Sequence, residues 1–541
     1  MLFRLSLILP TREVAKNRVI SRRKGEKIGD NAYNLMYNIG IQSNHHIRET
    51  LSMKDHSTKA ANTQQAKSNS SSKQNKEETM DLIESTDAAA RFLNRFKIVK
   101  LLGECGAYKE KGVPIKVILL YIFNLMFSPM SMYYQIKLGA FHEEFSKNTV
   151  YRFLENAHMN WHSFLLRLSA IIIQHIAGLT DDKNNRYALL VDDSPLPKCG
   201  KAMELVSKYF NHVTMGYEYG YRVLTLAWTD GVTTVPIRYS LLASAYDEKV
   251  KGKIRDDIDG RTLSGRIRKL ARTSMNDLTV KFASEAIKAG IPASIIAFDS
   301  WFAIPHTISR LIKDTGLTVI CRLKTNSKQY YEYNGKMMNI KTIYNACKKR
   351  RGKAAWKLSL RVNLLVKDKN KIVERIPVKI VYIPNRANTK EWICLLSTDT
   401  DLAENEIIRQ YGKRWNIEVM FKCCKQYLKF GKDFQSPSFE TQNAQIAIAF
   451  TRYMFIAIEQ RESEDYRSCG ELFMLFYQEL QDITFGKALA LIVSLFRESM
   501  LKVLGVSEDQ IQAVVDCVLS TIPDYLQRTL AAANKGSKKA A

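Results

Sequence analysis

Apolar residues in the first part of the chain recur at the spacing of helices. From Met80 to about Leu179 this pattern continues, with one helix opening at Pro114 and running through Phe127 and another following Ser146. Short helices joined by small turns are typical of a helix-turn-helix-like unit, and a bundle that serves only to pack fits the same pattern. The sequence therefore predicts a helical N-terminal part.

The middle of the chain alternates short apolar runs with amphipathic segments. Helices are predicted over 278–290 and 305–316, each closed by a glycine. Continuous apolar runs and one hairpin pattern predict strands over 187–193, 220–231, 233–244, 293–300 and 317–323. This order of strands and helices predicts an α/β core.

The last part of the chain changes pattern twice. Short β-like runs with basic turns over about 325–390 predict a β-rich insertion, and a long helix is predicted from about Ala403 to Lys429. The remainder to about Ala532 is predicted to be helical, with a basic tail. At the other end, the polar, low-complexity stretch Ser57–Thr79 predicts disorder, because such a composition cannot bury a core.

The charge balance narrows the class of partner. Lys and Arg number 81 against 54 Asp and Glu, which gives a formal net charge of +27. Such an excess favours a polyanionic partner, nucleic acid ahead of an anionic membrane surface. A charged stretch rich in Lys and Arg over 245–275 predicts a solvated face first and a DNA contact second.

The cysteines and apolar runs indicate the compartment. Nine cysteines are scattered without a Cys-x-x-Cys pair, which predicts reduced, buried thiols in a cytosolic protein. The longest apolar runs are shorter than a membrane span and predict core helices instead.

Two predicted strands end in aspartates. Asp192, or its neighbour Asp193, ends the first, and Asp299 ends the strand at 293–300. Open α/β sheets place their functional sites at this edge, although a single aspartate there is more often a turn or cap residue. Because side chains alternate along a strand, only one of Asp192 and Asp193 can point into such a site. With a third acid, two aspartates can hold Mg²⁺ or Mn²⁺ for phosphodiester chemistry.

The third acid is expected on the long helix. Tyr411, Arg414, Glu418 and Lys425 are offset by 0, 3, 7 and 14 residues, so they fall within about 60° of one another at ~100° per residue. Glu418 suits metal ligation, and Arg414 and Lys425 suit DNA phosphates. The alternative for Arg414 is an exposed pair with Glu418, which is worth about 0.3 to 0.5 kcal/mol. Further DNA contacts are predicted at Lys422, Arg322 and Lys324.

These motifs resemble those of a known family. Tyr-x2-Arg-x3-Glu-x6-Lys, beginning at Tyr411, resembles the YREK signature of the DDE insertion-sequence transposases. VDDS at 191–194 and AFDS at 297–300 resemble the motifs of the first and second catalytic aspartates. The family's usual Asp-x-Ser spacing selects Asp192, and Asp193 remains the alternative. The resemblance covers roughly residues 90–460.

The resemblance implies an RNase H-like catalytic core with a β-rich insertion, an α-helical N-terminal DNA-binding region and a helical C-terminus. It implies Mg²⁺ or Mn²⁺ held by Asp192, Asp299 and Glu418, terminal inverted repeats and target DNA as partners, and a synaptic homodimer. A metal-dependent nuclease without strand transfer and an inactive, DNA-binding descendant are the alternatives. The implied domains begin with a disordered or non-native extension and linker at 1–79 and a DNA-binding domain at 80–180. The first part of the core follows at 181–324, the insertion at 325–400, and the second part of the core with the glutamate helix at 401–460. A helical C-terminal region with a basic tail occupies 461–541.

Overall fold

The computed structural model describes residues 88–109, 111–141, 143–179, 186–211, 214–325, 329–352, 354–369, 371–385, 391–462, 467–504 and 507–521. The disordered or non-native extension and linker predicted for 1–79 lies outside the described residues. Residues 522–541, which include the end of the predicted C-terminal helical region and the basic tail, lie outside them as well. The predicted domain boundaries stay predictions.

The first part of the described chain is helical, as predicted. Its helices are α1 (Ala88–Arg95), α2 (Ile98–Glu104), α3 (Ile115–Asn124), α4 (Met132–Lys137), α5 (Lys147–Leu154) and α6 (Trp161–Gly178). Pro114 directly precedes α3, where its fixed φ suits a helix start and its missing N–H leaves no bond unmade. The side chain of Asn160 caps α6 by accepting from the Ser163 N–H at 2.9 Å.

The middle and last parts of the described chain combine strands with further helices. The strands are β1 (Ala188–Pro197), β2 (Ser207–Asn211), β3 (Gly216–Thr229), β4 (Thr234–Leu242), β5 (Ile295–Phe298), β6 (Thr318–Leu323), β7 (Tyr331–Tyr333), β8 (Lys336–Met338), β9 (Leu358–Asp368), β10 (Lys371–Pro384) and β11 (Trp392–Ser397). The helices are α7 (Leu263–Ala271), α8 (Met275–Lys288), α9 (Pro305–Thr315), α10 (Ile340–Ala346), α11 (Glu404–Gly412), α12 (Trp415–Gln426), α13 (Phe439–Glu462), α14 (Cys469–Leu504) and α15 (Glu508–Thr521).

One mixed sheet runs through this part, in the order β2-β3-β1-β5-β6-β11-β10-β9-β7-β8, with β4 paired to β3. β3 is antiparallel to both β1 and β4, whereas β1, β5 and β6 run parallel. The four residues of β5 are all buried, because helices cover the parallel strands on both faces. This mixed α/β arrangement is consistent with an RNase H-like domain.

The register of the parallel strands fixes where their aspartates lie. Val191 of β1 pairs with Phe298 of β5, and Asp192 and Asp299 each follow directly, where the parallel pairing of these strands ends. β1 itself continues to Pro197, so the prediction that Asp192 or Asp193 ends this strand was wrong. The strand continues because its residues as far as Pro197 pair with β3. Between β5 and β6 in the chain, Gly316 closes α9 with a φ of 68°, a left-handed conformation that glycine adopts without strain. The strand and helix order predicted for this region is confirmed.

The β-rich segment after β6 extends the same sheet. β11 pairs antiparallel with β6, and β10 and β9 continue outward from it. Tyr344, Tyr382 and Trp392 pack with ring centroids 4.9 to 5.1 Å apart, which ties α10 to β10 and β11. The inserted strands are therefore continuous with the core sheet.

The prediction of one long helix from Ala403 to Lys429 was wrong in one respect, because this segment forms two helices. α11 ends at Gly412 and α12 begins at Trp415. Gly412 weakens the helix at this point, and the Nζ of the buried Lys413 donates to the Arg186 carbonyl at 2.6 Å. The Arg414 N–H bonds the Tyr411 carbonyl, three residues back, so the turn tightens there.

Two features of the C-terminal helices were not predicted. The guanidinium of Arg452, in α13, is fully buried and pairs with Asp433 at 2.5 Å, and it donates to carbonyls of α3. Cys423 and Cys469 form a disulfide with their Cα atoms 6.4 Å apart, which corrects the prediction that all cysteines are reduced. Of the helices that the structure describes, none is long and apolar enough to cross a membrane.

Candidate active site

Asp192 and Asp299 line the same cavity, which has a volume of about 380 Å³. Each carboxylate accepts a hydrogen bond from the next backbone N–H, of Asp193 at 2.9 Å and of Ser300 at 2.7 Å. Those bonds orient the two side chains, of which Asp192 lies within β1 and Asp299 directly follows β5. The structure thus brings together two of the three predicted acids.

Asp193 lines this cavity as well, but its carboxylate is bound differently from that of Asp192. The Arg222 guanidinium, on β3, donates to both oxygens of Asp193, at 2.6 and 2.7 Å. Such a bidentate pair fixes both groups. The carboxylate of Asp193 is therefore neutralised by the Arg222 guanidinium, which makes no such pair with Asp192.

Arg414 lies between Asp192 and the third predicted acid, Glu418. Its guanidinium is 2.5 Å from a Glu418 oxygen and 3.4 Å from an Asp192 oxygen. Only 15% of the Arg414 side chain is exposed, so the pair with Glu418 is not the exposed surface pair considered from the sequence. Glu418 is joined to Asp192 through this arginine.

The electrostatics of the site follow from burial and from crowded negative charge. Burial raises the pKa of the Asp192 carboxyl to about 7; Asp193 and Glu418 add to the rise, and Arg414 opposes it. Burial likewise raises the pKa of the Tyr411 hydroxyl to about 12, with Asp299 adding to the rise. Desolvation, more than the neighbouring charges, therefore disfavours the ionised form of Asp192.

The donor set agrees with a hard divalent cation at the two aspartates. Carboxylate oxygens are the ligands that Mg²⁺ and Mn²⁺ prefer, and excess buried negative charge favours a cation. Within the described residues, however, no three His, Cys, Asp or Glu side chains are grouped closely enough to hold a metal ion. Arg414 engages one carboxylate oxygen of Glu418, Oε1.

The predicted DNA-contacting residues are not among those that line this cavity. Lys425 is half-buried; burial lowers the pKa of its ammonium, and the charge of Asp193 opposes that shift. Lys422 and Arg322 are exposed, and so is Lys324, whose Nζ lies 4.2 Å from the centre of the Trp301 ring. Tyr411 packs near Arg414, with the guanidinium carbon 5.8 Å from the ring centre.

Several residues at the site were missed from the sequence. Arg222, which binds Asp193, is one residue within an apolar strand, and no pattern distinguishes it. Trp301 directly follows the AFDS motif and is 45% exposed at the cavity, so its proximity to that motif was an available signal. β2 supplies three more lining residues: Tyr209, Phe210 and Asn211.

Comparison with known proteins agrees with this geometry over part of the chain. No curated protein matched the sequence. Residues 119–365 match the family described as DDE superfamily endonuclease. The matched range contains Asp192 and Asp299 and ends before Glu418. The family match, the mixed sheet and the two aspartates at one cavity together support a DDE-type, transposase-like nuclease.

Proposed function

We propose that this chain is a DNA transposase that binds the terminal inverted repeats of its element, cleaves their ends by two-metal phosphodiester hydrolysis and joins the freed 3′ ends to target DNA. The observation that carries the proposal is the meeting of Asp192 and Asp299 at one cavity, with Glu418 linked to Asp192 through Arg414. Asp192 comes from within β1, Asp299 directly follows β5, and Glu418 lies on α12.

In this proposal Asp192, Asp299 and Glu418 hold Mg²⁺, for which Mn²⁺ can substitute. Two such ions would activate the attacking oxygen and stabilise the leaving one in the displacement. Asp192 is preferred to Asp193 as the first ligand because Arg222 already neutralises Asp193 through two hydrogen bonds. Asp193 and Arg222 would instead hold β1 against β3.

Arg414 has two states in this proposal. Without metal its guanidinium binds Glu418 and Asp192. When Glu418 turns to ligation, the planar fork of Arg414 becomes available to two oxygens of a DNA phosphate. Lys425 would add a point charge on the same helix, and Tyr411 a hydroxyl donor.

Further parts of the proposal concern the DNA and the assembly. The helices α1 to α6 would belong to the DNA-binding region, and two copies of the chain would pair the element ends in a synaptic homodimer. Lys422, Arg322 and Lys324 are exposed and cationic, as phosphate contacts require. The net charge of +27 supports a polyanionic partner.

The test uses the full chain with duplex DNA that carries the inverted repeats flanking its gene. Nicked ends and joined products in Mg²⁺, both lost in a chelator, would support transposition. Nicked ends without joined products would support a metal-dependent nuclease instead. Specific binding without any cleavage would support the inactive, DNA-binding alternative and refute the proposal.

A further inference from the structure

A second cavity, of about 740 Å³, is lined by residues of α6, α7 and α8. Four exposed cationic residues border it: Arg266 and Lys269 on α7, Lys281 and Lys288 on α8. None of the four forms an ion pair with an acidic side chain among the described residues. The basic stretch at 245–275 thus contributes two of its cations to one concave surface.

The wall of this cavity is electrically neutral below that rim. Arg238 is buried there, and its guanidinium pairs with Glu285 at 2.5 Å. Glu285 is the one acidic residue among the described lining residues. The uncompensated positive charge therefore lies at the exposed rim, where a ligand would pass across the opening.

The spacing of the rim cations suits an extended polyanion better than one small anion. Lys281 and Lys288 are seven residues apart on α8, which is about 10 Å at 1.5 Å per residue. A DNA strand carries one phosphate per about 3.4 Å of helix axis, so this distance spans about three phosphates. A single phosphate is too small to contact both lysines.

The cationic face of α7 is held in place from behind. Arg268 of that helix is buried and donates to Glu204 at 2.5 and 2.8 Å and to Glu440 at 2.7 Å. Because these bonds fix α7 to the core, Arg266 and Lys269 are presented to solvent without a conformational change. A preformed surface loses less entropy when it binds.

We propose that this rim, formed by Arg266, Lys269, Lys281 and Lys288, binds the sugar-phosphate backbone of duplex DNA. The surface is distinct from the catalytic cavity, because the two share no lining residue. The inference rests on the proposed action on DNA and adds a second place of contact. Because phosphates carry no base identity, the rim contributes affinity without sequence preference.

The test measures binding of a mixed-sequence duplex to the full chain by fluorescence anisotropy across a salt series. Two double variants remove rim charges, Arg266→Ala with Lys269→Ala, and Lys281→Ala with Lys288→Ala. The control removes the same charge elsewhere, by Lys336→Ala with Lys341→Ala on β8 and α10, both exposed residues outside this cavity. Each rim variant should lose about tenfold or more in affinity and reduce the salt slope by about two, and the control should change neither as much.

Equal changes in the rim variants and the control would overturn the inference, since general charge would then explain both. Tight binding of inorganic pyrophosphate that depends on the rim, with DNA affinity unchanged, would overturn it in favour of a small phosphate ligand. If the wild-type chain bound no DNA, the proposed function itself would fail. If wild type bound and cleaved DNA while the rim variants bound like wild type, only this inference would fail.

Discussion

Replacing Asp192 with asparagine is expected to stabilise the metal-free protein. Burial, with the charges of Asp193 and Glu418, raises the pKa of this carboxyl from its ordinary 3.8 to about 7. An acid whose pKa is higher in the folded than in the unfolded chain destabilises the fold at every pH above its pKa in the unfolded chain. The cost grows between about pH 4 and pH 7 and is complete above that range.

The size of this effect follows from the same shift. At about 1.36 kcal/mol per pKa unit, a rise to about 7 costs at most about 4 kcal/mol. One-fifth of the Asp192 side chain is exposed and keeps some water, which reduces the expected cost to about 2 kcal/mol. Asp192→Asn removes that cost because the amide carries no charge.

The matched control is the adjacent aspartate. Asp193→Asn breaks a bidentate pair whose side chains are 8% and 23% exposed, so about 1 to 2 kcal/mol of stability should be lost. Thermal unfolding at pH 8 in a chelator should show a midpoint roughly 2 °C higher for Asp192→Asn and a lower one for Asp193→Asn. At pH 4 the gain from Asp192→Asn should disappear. A midpoint for Asp192→Asn equal to or below wild type at pH 8 would refute the electrostatic argument. A lower midpoint for Asp192→Asn together with a higher one for Asp193→Asn would make Asp193 the strained acid.

Three other predictions concern stability, DNA binding and the metal. Arg452→Met should lower the free energy of unfolding by about 3 to 5 kcal/mol, because it leaves the buried charge of Asp433 unpaired. Adding Asp433→Asn should recover part of the loss in the same denaturation assay. An Arg452→Met variant as stable as wild type would contradict the pairing. Arg414→Ala and Lys425→Ala should each weaken complexes with element ends and lower the salt slope by about one without changing the preferred end sequence, and unchanged slopes in both would exclude phosphate contacts. Ca²⁺ should support assembly of the DNA complex better than cleavage, because it is larger and less exacting in geometry than Mg²⁺; cleavage in Ca²⁺ at the Mg²⁺ rate would contradict this.

The sequence predicted the elements of the core because their patterns are local. The continuous apolar runs before Asp192 and Asp299 identified two buried strands, and both acids line one cavity, although β1 continues past Asp192 to Pro197. Glycine-closed helices such as α9 were predicted for the same reason, since a left-handed cap is encoded in one or two residues.

What the sequence did not predict depends on contacts between distant residues. The bond from Lys413 to the Arg186 carbonyl, 227 positions apart, contributes to dividing the predicted long helix, and no local pattern encodes it. The disulfide joins Cys423 to Cys469 across two helices, so the spacing of cysteines gave no sign of it. Arg414 was placed on the right helix face, but its bridge from Glu418 to Asp192 needed the packing of α12 against β1.

The central claim is that Asp192, Asp299 and Glu418 act together through metal ions to cut DNA. The most direct measurement is Mg²⁺-dependent cleavage of duplex DNA carrying the flanking inverted repeats, by wild type and by Asp192→Ala, Asp299→Ala and Glu418→Ala. Each variant should lose cleavage and keep specific end binding, since removing a ligand leaves the phosphate contacts intact. Asp193→Ala should be affected less. Cleavage at the wild-type level by any of the three variants, or by wild type in a chelator, would contradict the account.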